Sequence, residues 1–298
     1  MRILVTAGSG FIGSKFVKYL VKQKYDVHFT YNKNKCSFEV AQSHQLDVTN
    51  RDASKNLVYD LKPELVIHTV AVPSMDLCET NKNLAKAVNV GGTKNIVDAC
   101  QKLGSKVVFI STSTVFDGAK PLYDENDQPN PINYHGLTHL EGEKIIINSG
   151  LPFLVLRTDQ PYGWVESWQK KNSVIRILES LERNETVKEI LDWYNTPTYI
   201  DNLIEVAINL IKKEKEGVYH TVGPDFVNRC ELALKIAEIF NKDKNLIKPI
   251  NSKELNLPAK RGVIRLNNKR AESESGIKLV GIIEGLKEML KSDNEIRY

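Results

Sequence analysis

The sequence predicts an α/β fold with a doubly wound parallel sheet, and three observations support this prediction. Short apolar runs rich in β-branched residues alternate with amphipathic helical patterns through the first half of the chain. Most successive runs start roughly 30 residues or more apart, the length that a strand–helix–strand crossover requires. The first run leads through a glycine-rich turn into a helical pattern. We therefore expect parallel strands with helices on both faces of the sheet.

The predicted elements of the first half follow in order along the chain. Each predicted strand is short and apolar, as is typical of a strand buried on both faces. Each predicted helix has apolar residues three and four positions apart, so that one face can pack on the sheet. The predicted strands are residues 3–6, 27–31, 65–68, 107–111 and 153–157, and the predicted helices are residues 11–24, 53–61, 84–103 and 132–148.

The regular alternation of strands and helices ends near residue 160. From there the sequence predicts a smaller substrate-binding lobe over residues 161–298, interleaved with a late return of the chain to the sheet. This part begins with a loop rich in aromatic residues. Its predicted strand is residues 217–222, and its predicted helices are residues 173–181, 200–213, 229–240 and 282–290.

The composition is that of an ordinary globular protein. The 298 residues include 41 Lys and Arg against 37 Asp and Glu, a net charge of +4 that is spread along the chain. So diffuse an excess does not predict nucleic-acid binding, and no apolar run reaches the roughly 18 residues of a membrane span. The chain starts directly in a predicted strand, and its four cysteines have no paired spacing. We expect a cytoplasmic protein with reduced thiols and no membrane partner.

The glycine-rich turn predicts a binding site for a dinucleotide. It has a G-x-G-x-x-G pattern between a predicted strand and a predicted helix, the context that gives this pattern meaning. Glycine allows a tight turn and the close approach of a pyrophosphate, which the helix N-terminus then binds. A tight turn without a ligand is the alternative. We expect residues 1–160 to form a Rossmann domain whose cofactor contacts include Ala7, Gly8, Gly10, Phe11, Ile12 and Gly13.

The residues after the second predicted strand favour NADP over NAD as the cofactor. NAD-binding domains usually place Asp or Glu near this position, where it binds the ribose 2′-hydroxyl. Here the residues are Asn32 and Lys33, with Lys35 two positions further on. Lysine side chains suit a 2′-phosphate. Solvated loop lysines, with NAD as the cofactor, are the alternative.

Further motifs, spread over nearly the whole chain, carry a family resemblance. They are Leu46-Asp47-Val48, Asp76-x-Cys78-Glu79, Asn89-Val90-x-Gly92-Thr93, Ile110-Ser111-Thr112, Val115-Phe116-Asp117-Gly118, Leu156-Arg157-Thr158, Tyr162-Gly163, Pro197-Thr198-Tyr199 and Gly217-x-Tyr219-His220. With the glycine turn, the chain resembles the extended short-chain dehydrogenase/reductases, above all the dTDP-4-dehydrorhamnose reductases. It also resembles their relative, the regulatory beta subunit of methionine adenosyltransferase.

The resemblance implies a function and a set of binding residues. The reductases reduce a nucleotide-activated 4-keto sugar with NADPH, so a nucleotide sugar is the implied small-molecule ligand, and the regulatory relative implies a protein partner or a homodimer. The implied cofactor residues are Asp47 and Val48 near the adenine, Thr69, Val70 and Ala71 at the floor of the site, Ser111, and His139. The implied substrate residues are Thr112, Ser113 and Arg261, of which the arginine would bind a diphosphate.

Four smaller departures from the family pattern are visible. The first glycine of the family's G-x-x-G-x-x-G is Ala7 in this chain, and the family's Asn-Ala-Ala after the fourth strand is His68-Thr69-Val70. The family's Trp after Arg-Thr-Ser is replaced in Asp159-Gln160-Pro161. The family's Ser-Thr-Asp-Tyr-Val-Phe is Ser111-Thr112-Ser113-Thr114-Val115-Phe116. This change and the replaced Trp predict a substrate pocket that differs from that of the rhamnose pathway.

The largest departure concerns the catalytic dyad. In the family a Tyr donates a proton to the carbonyl oxygen, a Lys four residues later binds the nicotinamide ribose and lowers the Tyr pKa, and a Ser or Thr polarises the carbonyl. Thr112 occupies this last position. Alignment on the flanking residues puts His135 at the Tyr position and His139 at the Lys position, whereas a slip of one residue pairs Tyr134 with Thr138. No alignment gives Tyr-x-x-x-Lys.

Three hypotheses are open for this site. In the first, His135 donates the proton, because an imidazole with the ordinary pKa of about 6.5 is partly protonated near neutrality. In the second, catalysis is lost and the chain is an NADP-binding regulatory protein. In the third, His135, His139 and Glu143 on one helical face bind a metal, but no further ligand is evident and we predict no metal site. The candidate catalytic residues are Thr112, His135 and His139.

Overall fold

A computed structural model describes the backbone of residues 1–297 and the side chains of residues 1–292. The strands are β1 (Arg2–Thr6), β2 (Asp26–Tyr31), β3 (Gln42–Gln45), β4 (Leu65–His68), β5 (Lys106–Thr112), β6 (Phe153–Thr158), β7 (Pro161–Tyr162), β8 (Val187–Ile190), β9 (Tyr194–Asn195), β10 (Thr198–Tyr199), β11 (Gly217–His220), β12 (Val227–Asn228) and β13 (Ile247–Ile250). The helices are α1 (Phe11–Lys22), α2 (Arg51–Leu61), α3 (Met75–Thr80), α4 (Lys82–Ala85), α5 (Thr93–Gln101), α6 (Tyr134–Ile147), α7 (Ser173–Glu182), α8 (Ile200–Lys212), α9 (Arg229–Ile239), α10 (Lys269–Ser275) and α11 (Ile282–Arg297).

Seven strands form one parallel sheet in the order β11–β6–β5–β4–β1–β2–β3. The chain runs outward from β1 to β3 and then returns to build β4, β5, β6 and β11 on the other side of β1. The strand order therefore reverses between β1 and β4, and open sheets of this kind bind ligands beyond the carboxyl ends of the strands at that point. The predicted fold class, a doubly wound parallel sheet, is confirmed.

Helices cover both faces of the sheet, which explains why its central strands are apolar throughout. On one face α1 and α8 pack in a core that includes Phe16 and Leu203. On the other face α2, α5 and α6 contribute Val58, Ile96 and Ile146 to a second core. All five side chains are fully buried.

The second half of the chain contributes both to the sheet and to a lobe with its own core. β11 joins the sheet beside β6, and α8 packs against α1. The lobe core lies among α7, α9 and α11, where Val174, Ile236 and Leu286 are fully buried. Three small strand pairs, β7–β10, β8–β13 and β9–β12, complete this half. The chain enters the lobe from the carboxyl end of β6, the edge at which a ligand is expected.

Two differences from the sequence prediction concern the sheet edge and the helix that packs beside the site. Strand β3 was not predicted, because its residues, Gln42–Gln45, are polar and show no apolar alternation; it lies at the edge of the sheet. The predicted helix over residues 84–103 is divided into α4, a π-helical segment over Lys86–Gly92, and α5. Within that segment the Asn89 side chain accepts the Val72 N–H at 2.7 Å and donates to the Thr138 hydroxyl at 2.9 Å. It therefore links the residues after β4 to α6.

Within the part of the chain that the structure describes, every helix is too short or too polar to cross a membrane.

Candidate functional site

The glycine turn joins β1 to α1 and contains positions that only glycine fits. A Cβ atom added to Gly8 would lie 2.5 Å from the Cβ of Phe29 on β2, and one added to Gly13 would lie 2.3 Å from the carbonyl oxygen of Ala7. Helix α1 follows Gly10, which has no side chain to cap the helix. The first-turn N–H groups of a helix have no partner within the helix, so this end can bind an anion.

Ala7 occupies the place of the family's first glycine in an unusual backbone conformation. Its φ of +50° lies in the left-handed region that favours glycine, and this costs an alanine roughly 1 kcal/mol. Two hydrogen bonds hold the turn: the Ala7 N–H donates to Thr30 Oγ1 at 2.9 Å, and the Ala7 carbonyl accepts the Gly10 N–H at 2.8 Å. Ala7 therefore holds a left-handed backbone conformation that is fixed by hydrogen bonds on both sides of the residue.

A loop of the second half of the chain packs against the same turn. Trp168 Nε1 and Gln169 Nε2 each donate a hydrogen bond to the Ser9 carbonyl oxygen at 3.1 Å. Gln169 also donates to Ser14 Oγ at 2.9 Å, and Trp168 lies edge-on to Phe38 with ring centroids 6.4 Å apart. Because these contacts use a carbonyl oxygen and a hydroxyl, the first-turn N–H groups of α1 remain available to a ligand.

The predicted adenine-end residues lie after β2 and β3. Asn32 and Lys33 are exposed, and the Lys33 ammonium forms no ion pair with the residues that the structure describes. The Asp47 carboxylate accepts both the N–H and the hydroxyl of Thr49, at 2.9 and 2.7 Å, and shapes the turn before α2. Val48 is buried. No carboxylate stands directly after β2, so this end has a cation where NAD-binding domains have an acid.

His68, in place of the family's Asn, is a fully paired neutral imidazole. Its Nδ1 lies 2.8 Å from Thr6 Oγ1 and its Nε2 lies 3.1 Å from Thr93 Oγ1. Thr93 donates its own proton to the Asn89 carbonyl, so its oxygen accepts from His68 Nε2–H, and Nδ1 accepts from Thr6. Burial lowers the pKa of His68 to about 4. The residues that follow it, Thr69, Val70 and Ala71, are half-buried at the end of β4.

The first turn of α6 brings His135 next to the end of β5. A Cβ atom on Gly136 would lie 1.9 Å from the Thr114 carbonyl oxygen, so only glycine allows the helix this close. Asn133 caps the helix by accepting the Gly136 N–H at 2.8 Å. His135 Nδ1 then lies 3.0 Å from Thr114 Oγ1, which lies 3.1 Å from Thr112 Oγ1. The structure thus connects the predicted residues Thr112 and His135 through the hydroxyl of another residue, Thr114.

Thr114 was not among the predicted site residues. The sequence contains one indication of its role: Thr stands here in place of the Tyr in the family's Ser-Thr-Asp-Tyr-Val-Phe, close in space to the changed dyad. The Thr114 N–H also bonds to Thr112 Oγ1 at 3.2 Å, which fixes the short turn after β5. Sequence spacing could not reveal that a threonine side chain would bridge β5 and α6.

His139, at the position of the family's Lys, is buried without a hydrogen-bond partner. Neither ring nitrogen bonds to any residue that the structure describes, and the side chain is 6% exposed. Its ring centroid lies 4.5 Å from that of His135 and 6.1 Å from that of Phe109. Buried polar groups in native proteins are normally paired. An unpaired imidazole at this position indicates that a ligand group or a water completes the site.

Both histidines are neutral near pH 7. Burial, with a smaller contribution from the Arg261 charge, lowers the pKa of His135 to about 4. Burial also holds the pKa of His139 well below its ordinary value, with smaller contributions from His135 and His68. The ordinary pKa assumed for His135 from the sequence therefore does not apply, because the desolvation that lowers it depends on the fold.

Ser111 and Thr112 face different surroundings at the end of β5. The Ser111 hydroxyl donates to Glu143, whose carboxylate also forms a bidentate ion pair with Arg157 at 2.9 and 2.7 Å. Both charged side chains are almost completely buried. The Ser111 hydroxyl proton is thus committed to Glu143 inside the fold, and it is not free to be donated to the predicted cofactor. Glu143 is equally committed; among the described residues, no group of three or more His, Cys, Asp or Glu side chains could hold a metal.

The remaining predicted substrate residues, Ser113 and Arg261, lie on different parts of the site. Arg261 donates to Asp76 at 2.8 Å, and its guanidinium lies 5.2 Å from the ring centroid of Trp193. Ser113 is buried against Asp159; burial raises the pKa of that carboxyl, and hydrogen bonds, including one from Ser113, lower it. Arg261 is therefore held in an ion pair, with its charge near His135, and Ser113 supports a buried carboxyl.

The buried imidazoles predict a marked loss of stability in mild acid. The pKa is lowered to about 4 for His68 and His135 and to about 3 for His220. Unfolded histidine protonates near about pH 6.5, so this stability is complete above that pH and is lost as the pH falls. At about pH 5 each group then costs roughly 2 kcal/mol relative to about pH 7.5. Urea denaturation at both pH values should show a fall of several kcal/mol.

His68→Asn provides the matched control for this prediction, because Asn is the family's residue at that position. The variant should take up about one proton fewer on unfolding, so the decrease in its unfolding free energy between the two pH values should be smaller by roughly 2 kcal/mol. An unchanged pH dependence would show that His68 is not protected from protonation in the folded chain.

Fold and site together define the class of the protein. The strand order, the switch between β1 and β4 and the glycine turn are those of a Rossmann-type dinucleotide fold. The family model described as the RmlD substrate binding domain matches residues 1–295, and the chain belongs to that family.

Similar proteins confirm the resemblance both to the reductases and to the adenosyltransferase beta subunit. Methionine adenosyltransferase 2 subunit beta of Bos taurus is 27% identical over 256 residues, covering 84% of this chain and 75% of its own length. The probable low-salt glycan biosynthesis reductase Agl14 of Haloferax volcanii is 27% identical over 263 residues, covering 88% and 87%. The dTDP-4-dehydrorhamnose reductase of Bacillus anthracis, solved with NADP, has a TM-score of 0.87 at 25% identity and covers 98% and 99% of the two chains.

Proposed function

We propose that this chain binds NADP(H) at the glycine turn and has lost the proton transfer of the sugar-nucleotide reductases. The observation that carries the proposal is the state of the dyad positions: His139 is buried and unpaired, and His135 is neutral. In this proposal residues 1–160 hold the coenzyme, and the lobe of residues 161–298 covers a second ligand. The chain then acts as a coenzyme-dependent binding protein, as the likeness to an adenosyltransferase subunit suggests.

The glycine turn supports coenzyme binding. The first turn of α1 offers N–H groups to a diphosphate, and Gly10 leaves the approach open. Lys33 is exposed and suits a 2′-phosphate. Asp47 and Val48, which follow β3, lie at the end of the site proposed for the adenine. The B. anthracis reductase, which shares the fold over nearly its whole length, was solved with NADP.

His139 fits a role in holding the coenzyme ribose. A neutral imidazole has one donor and one acceptor nitrogen, and both are unpaired in the described structure. A pair of ribose hydroxyls would satisfy both. The imidazole is shorter than a lysine side chain and carries no charge here, so it cannot lower the pKa of a neighbouring acid as a lysine does.

The missing acid explains why we expect negligible turnover. Bound NADPH supplies a hydride, and the family's tyrosine supplies the proton. In this chain His135 is neutral at pH 7, and its Nδ1 is already paired with Thr114. Loss of general acid catalysis typically costs about 10²- to 10⁴-fold in rate. Thr112 remains to polarise a carbonyl, but it has no proton donor of suitable pKa beside it.

One observation favours a second candidate function, a reductase that uses histidine. The hydroxyls of Thr112 and Thr114 and the ring of His135 form a continuous hydrogen-bonded chain. If Thr114 donates to Nδ1, the Nε2–H of His135 is a neutral donor for a carbonyl oxygen. Oxidation of NADPH by the natural protein with a dTDP-4-keto sugar, removed by His135→Ala, would favour this candidate over the first.

Replacing Gly10 tests coenzyme binding directly. A Cβ atom at this position would meet only the Ala7 carbonyl oxygen, at 3.1 Å, so the turn can still form while the branched side chain of Gly10→Val blocks the diphosphate. We expect NADPH to quench tryptophan emission of the natural protein and to bind this variant at least about 10-fold more weakly, the scale of losing one charge-assisted hydrogen bond or more.

Gly91→Val is the matched control, because a Cβ atom there would approach only the Lys86 carbonyl oxygen, at 3.8 Å. It should bind NADPH like the natural protein. Equal NADPH affinity of the Gly10→Val variant and the natural protein would contradict the assigned site, and no response of the natural protein to NADPH or NADH would contradict the proposed function.

A further inference from the structure

The loop between β7 and α7 fixes one peptide group of the glycine turn. Trp168 Nε1 and Gln169 Nε2 both donate to the Ser9 carbonyl oxygen, each at 3.1 Å. The N–H of the same peptide group, which belongs to Gly10, donates to the Ala7 carbonyl oxygen at 2.8 Å. The peptide between Ser9 and Gly10 is therefore held at both of its polar atoms, at the oxygen by the loop and at the nitrogen by the turn.

A connected set of hydrogen bonds determines which way the Gln169 amide faces. Its Oε1 accepts the Glu166 N–H at 3.0 Å, so its Nε2 is directed to the turn. There it donates to the Ser9 carbonyl and, at 2.9 Å, to Ser14 Oγ. The buried Ser14 hydroxyl donates its own proton to the Phe11 carbonyl at 3.0 Å, so it acts as an acceptor toward Gln169. Both protons of the amide nitrogen are thus used between the turn and α1.

The same loop is attached to α1 and its surroundings by two further contacts. The Trp168 ring lies edge-on to Phe38, and both rings pack against the core on the face of the sheet that α1 covers. The Glu166 carboxylate forms an ion pair with Lys18 on α1. The loop therefore keeps a defined position beside the turn, and its two donors reach Ser9 from a packed support.

We propose that Trp168 and Gln169 are positioning residues for the coenzyme, which hold the Ser9–Gly10 peptide so that the N–H groups after it face the diphosphate. This inference rests on the proposed function, because the diphosphate is that of the NADP(H) proposed to bind at the turn. Both side chains act through the Ser9 carbonyl and not by contact with the coenzyme. The second half of the chain thereby contributes to a binding site that is built on the first half.

The orientation of this peptide matters because its two ends carry opposite partial charges. In the structure the negative end, the Ser9 oxygen, is directed to the loop, where two donors bind it. Gly10 tolerates a wide range of φ, so the backbone alone does not prevent the peptide from rotating. Without the loop donors only the bond from Gly10 to Ala7 would oppose this rotation. A carbonyl oxygen turned toward the first turn of α1 would repel a diphosphate.

A purely structural role of the loop, as a cover for α1, makes a different prediction. Loss of a cover would weaken every part of the coenzyme site together, whereas a misdirected peptide would weaken only the diphosphate contacts. The two cases are separated by 2′-AMP, which has the adenine and the 2′-phosphate of NADPH but no diphosphate.

The test uses titration calorimetry on the full chain, with NADPH and 2′-AMP as probes. Gln169→Leu removes the amide donors at similar size, and Trp168→Phe removes the indole N–H but keeps an aromatic ring. We expect NADPH to bind about 5- to 30-fold more weakly to Gln169→Leu and about 3- to 10-fold more weakly to Trp168→Phe, the scale of losing two hydrogen bonds and one. The affinity for 2′-AMP should be unchanged in both.

Each variant has a matched control that loses the same kind of hydrogen bond away from the turn. Trp164, in the same loop, donates its Nε1–H to the Met289 carbonyl at 2.8 Å, so Trp164→Phe is the control for Trp168→Phe. Gln101 Nε2 donates to the Ser149 carbonyl at 2.7 Å, so Gln101→Leu is the control for Gln169→Leu. Both controls should bind NADPH like the natural protein.

Two results would overturn the inference while leaving the proposed function intact. One is equal NADPH affinity of the natural protein and Gln169→Leu. The other is a parallel loss of NADPH and 2′-AMP affinity in Trp168→Phe, whose retained ring keeps the packing on Phe38. A natural protein that binds neither NADPH nor NADH would instead contradict the proposed function itself.

Discussion

The double substitution His135→Tyr/His139→Lys is expected to raise NADPH oxidation with a dTDP-4-keto sugar by about 10²- to 10⁴-fold, the usual contribution of a positioned general acid. The substituted positions lie one turn apart on the same face of α6, with ring centroids 4.5 Å apart in the natural protein. His135 already reaches Thr112 through Thr114. A tyrosine at 135 and a lysine at 139 would therefore restore the family's dyad beside the residue that polarises the carbonyl.

The expected gain in rate depends on whether a lysine at position 139 can keep its charge in the surroundings of His139. The His139 ring packs near Phe109, and His68 lies close enough to lower its pKa. A lysine there loses hydration, which lowers its pKa, but a bound ribose would give its ammonium hydrogen-bond acceptors. Adding His68→Asn, the family's residue, should raise the activity of the double variant further.

The two single variants are the controls, because either residue alone leaves the dyad incomplete. We expect His135→Tyr and His139→Lys each to remain near the rate of the natural protein. A double variant that binds NADPH but stays inactive would show that the dyad is not what limits turnover. The altered segment Asp159-Gln160-Pro161 would then be the next cause to test.

Glu143→Ala is expected to destabilise the fold by about 3–5 kcal/mol, because it leaves the Arg157 guanidinium buried without its counter-charge. The two side chains form two hydrogen bonds and are almost completely buried. The same carboxylate accepts the Ser111 hydroxyl, so three elements, β5, β6 and α6, lose a shared contact. Urea denaturation at neutral pH measures the loss.

Asp98→Ala is the control for this prediction. Asp98 forms an ion pair with Lys94 on the surface of α5, four residues apart, and such pairs contribute about 0.3–0.5 kcal/mol. A Glu143→Ala variant no less stable than Asp98→Ala would mean that the interior relaxes or admits water around Arg157, and that the pair does not hold α6 against the sheet.

The sequence predicted the parts of this fold that depend on local patterns. The apolar runs located five strands of the sheet to within one residue at each end, and the glycine pattern located the turn before α1. Strand β3 could not be predicted in this way, because Gln42–Gln45 pair with β2 through backbone bonds and a contact between the rings of His44 and His28, and they need no apolar face at the sheet edge.

The site was only partly predictable because its chemistry depends on burial and on long-range packing. Spacing placed His135 and His139 on one helix, but not the desolvation that keeps both neutral. The bridge through Thr114 depends on the close approach allowed by Gly136. The commitment of the Ser111 hydroxyl to Glu143 depends on which side chain of β5 faces α6. None of these relations is local in sequence.

Hydrogen exchange of the backbone amides from Ala7 to Ser14, measured by mass spectrometry with and without NADPH, tests most directly whether a coenzyme occupies the glycine turn. The first-turn N–H groups of α1 have no helical partner, so in the free protein they should exchange quickly. We predict that NADPH slows exchange in this segment in the natural protein and leaves it unchanged in Gly10→Val. Protection elsewhere with no change between Ala7 and Ser14 would contradict the account.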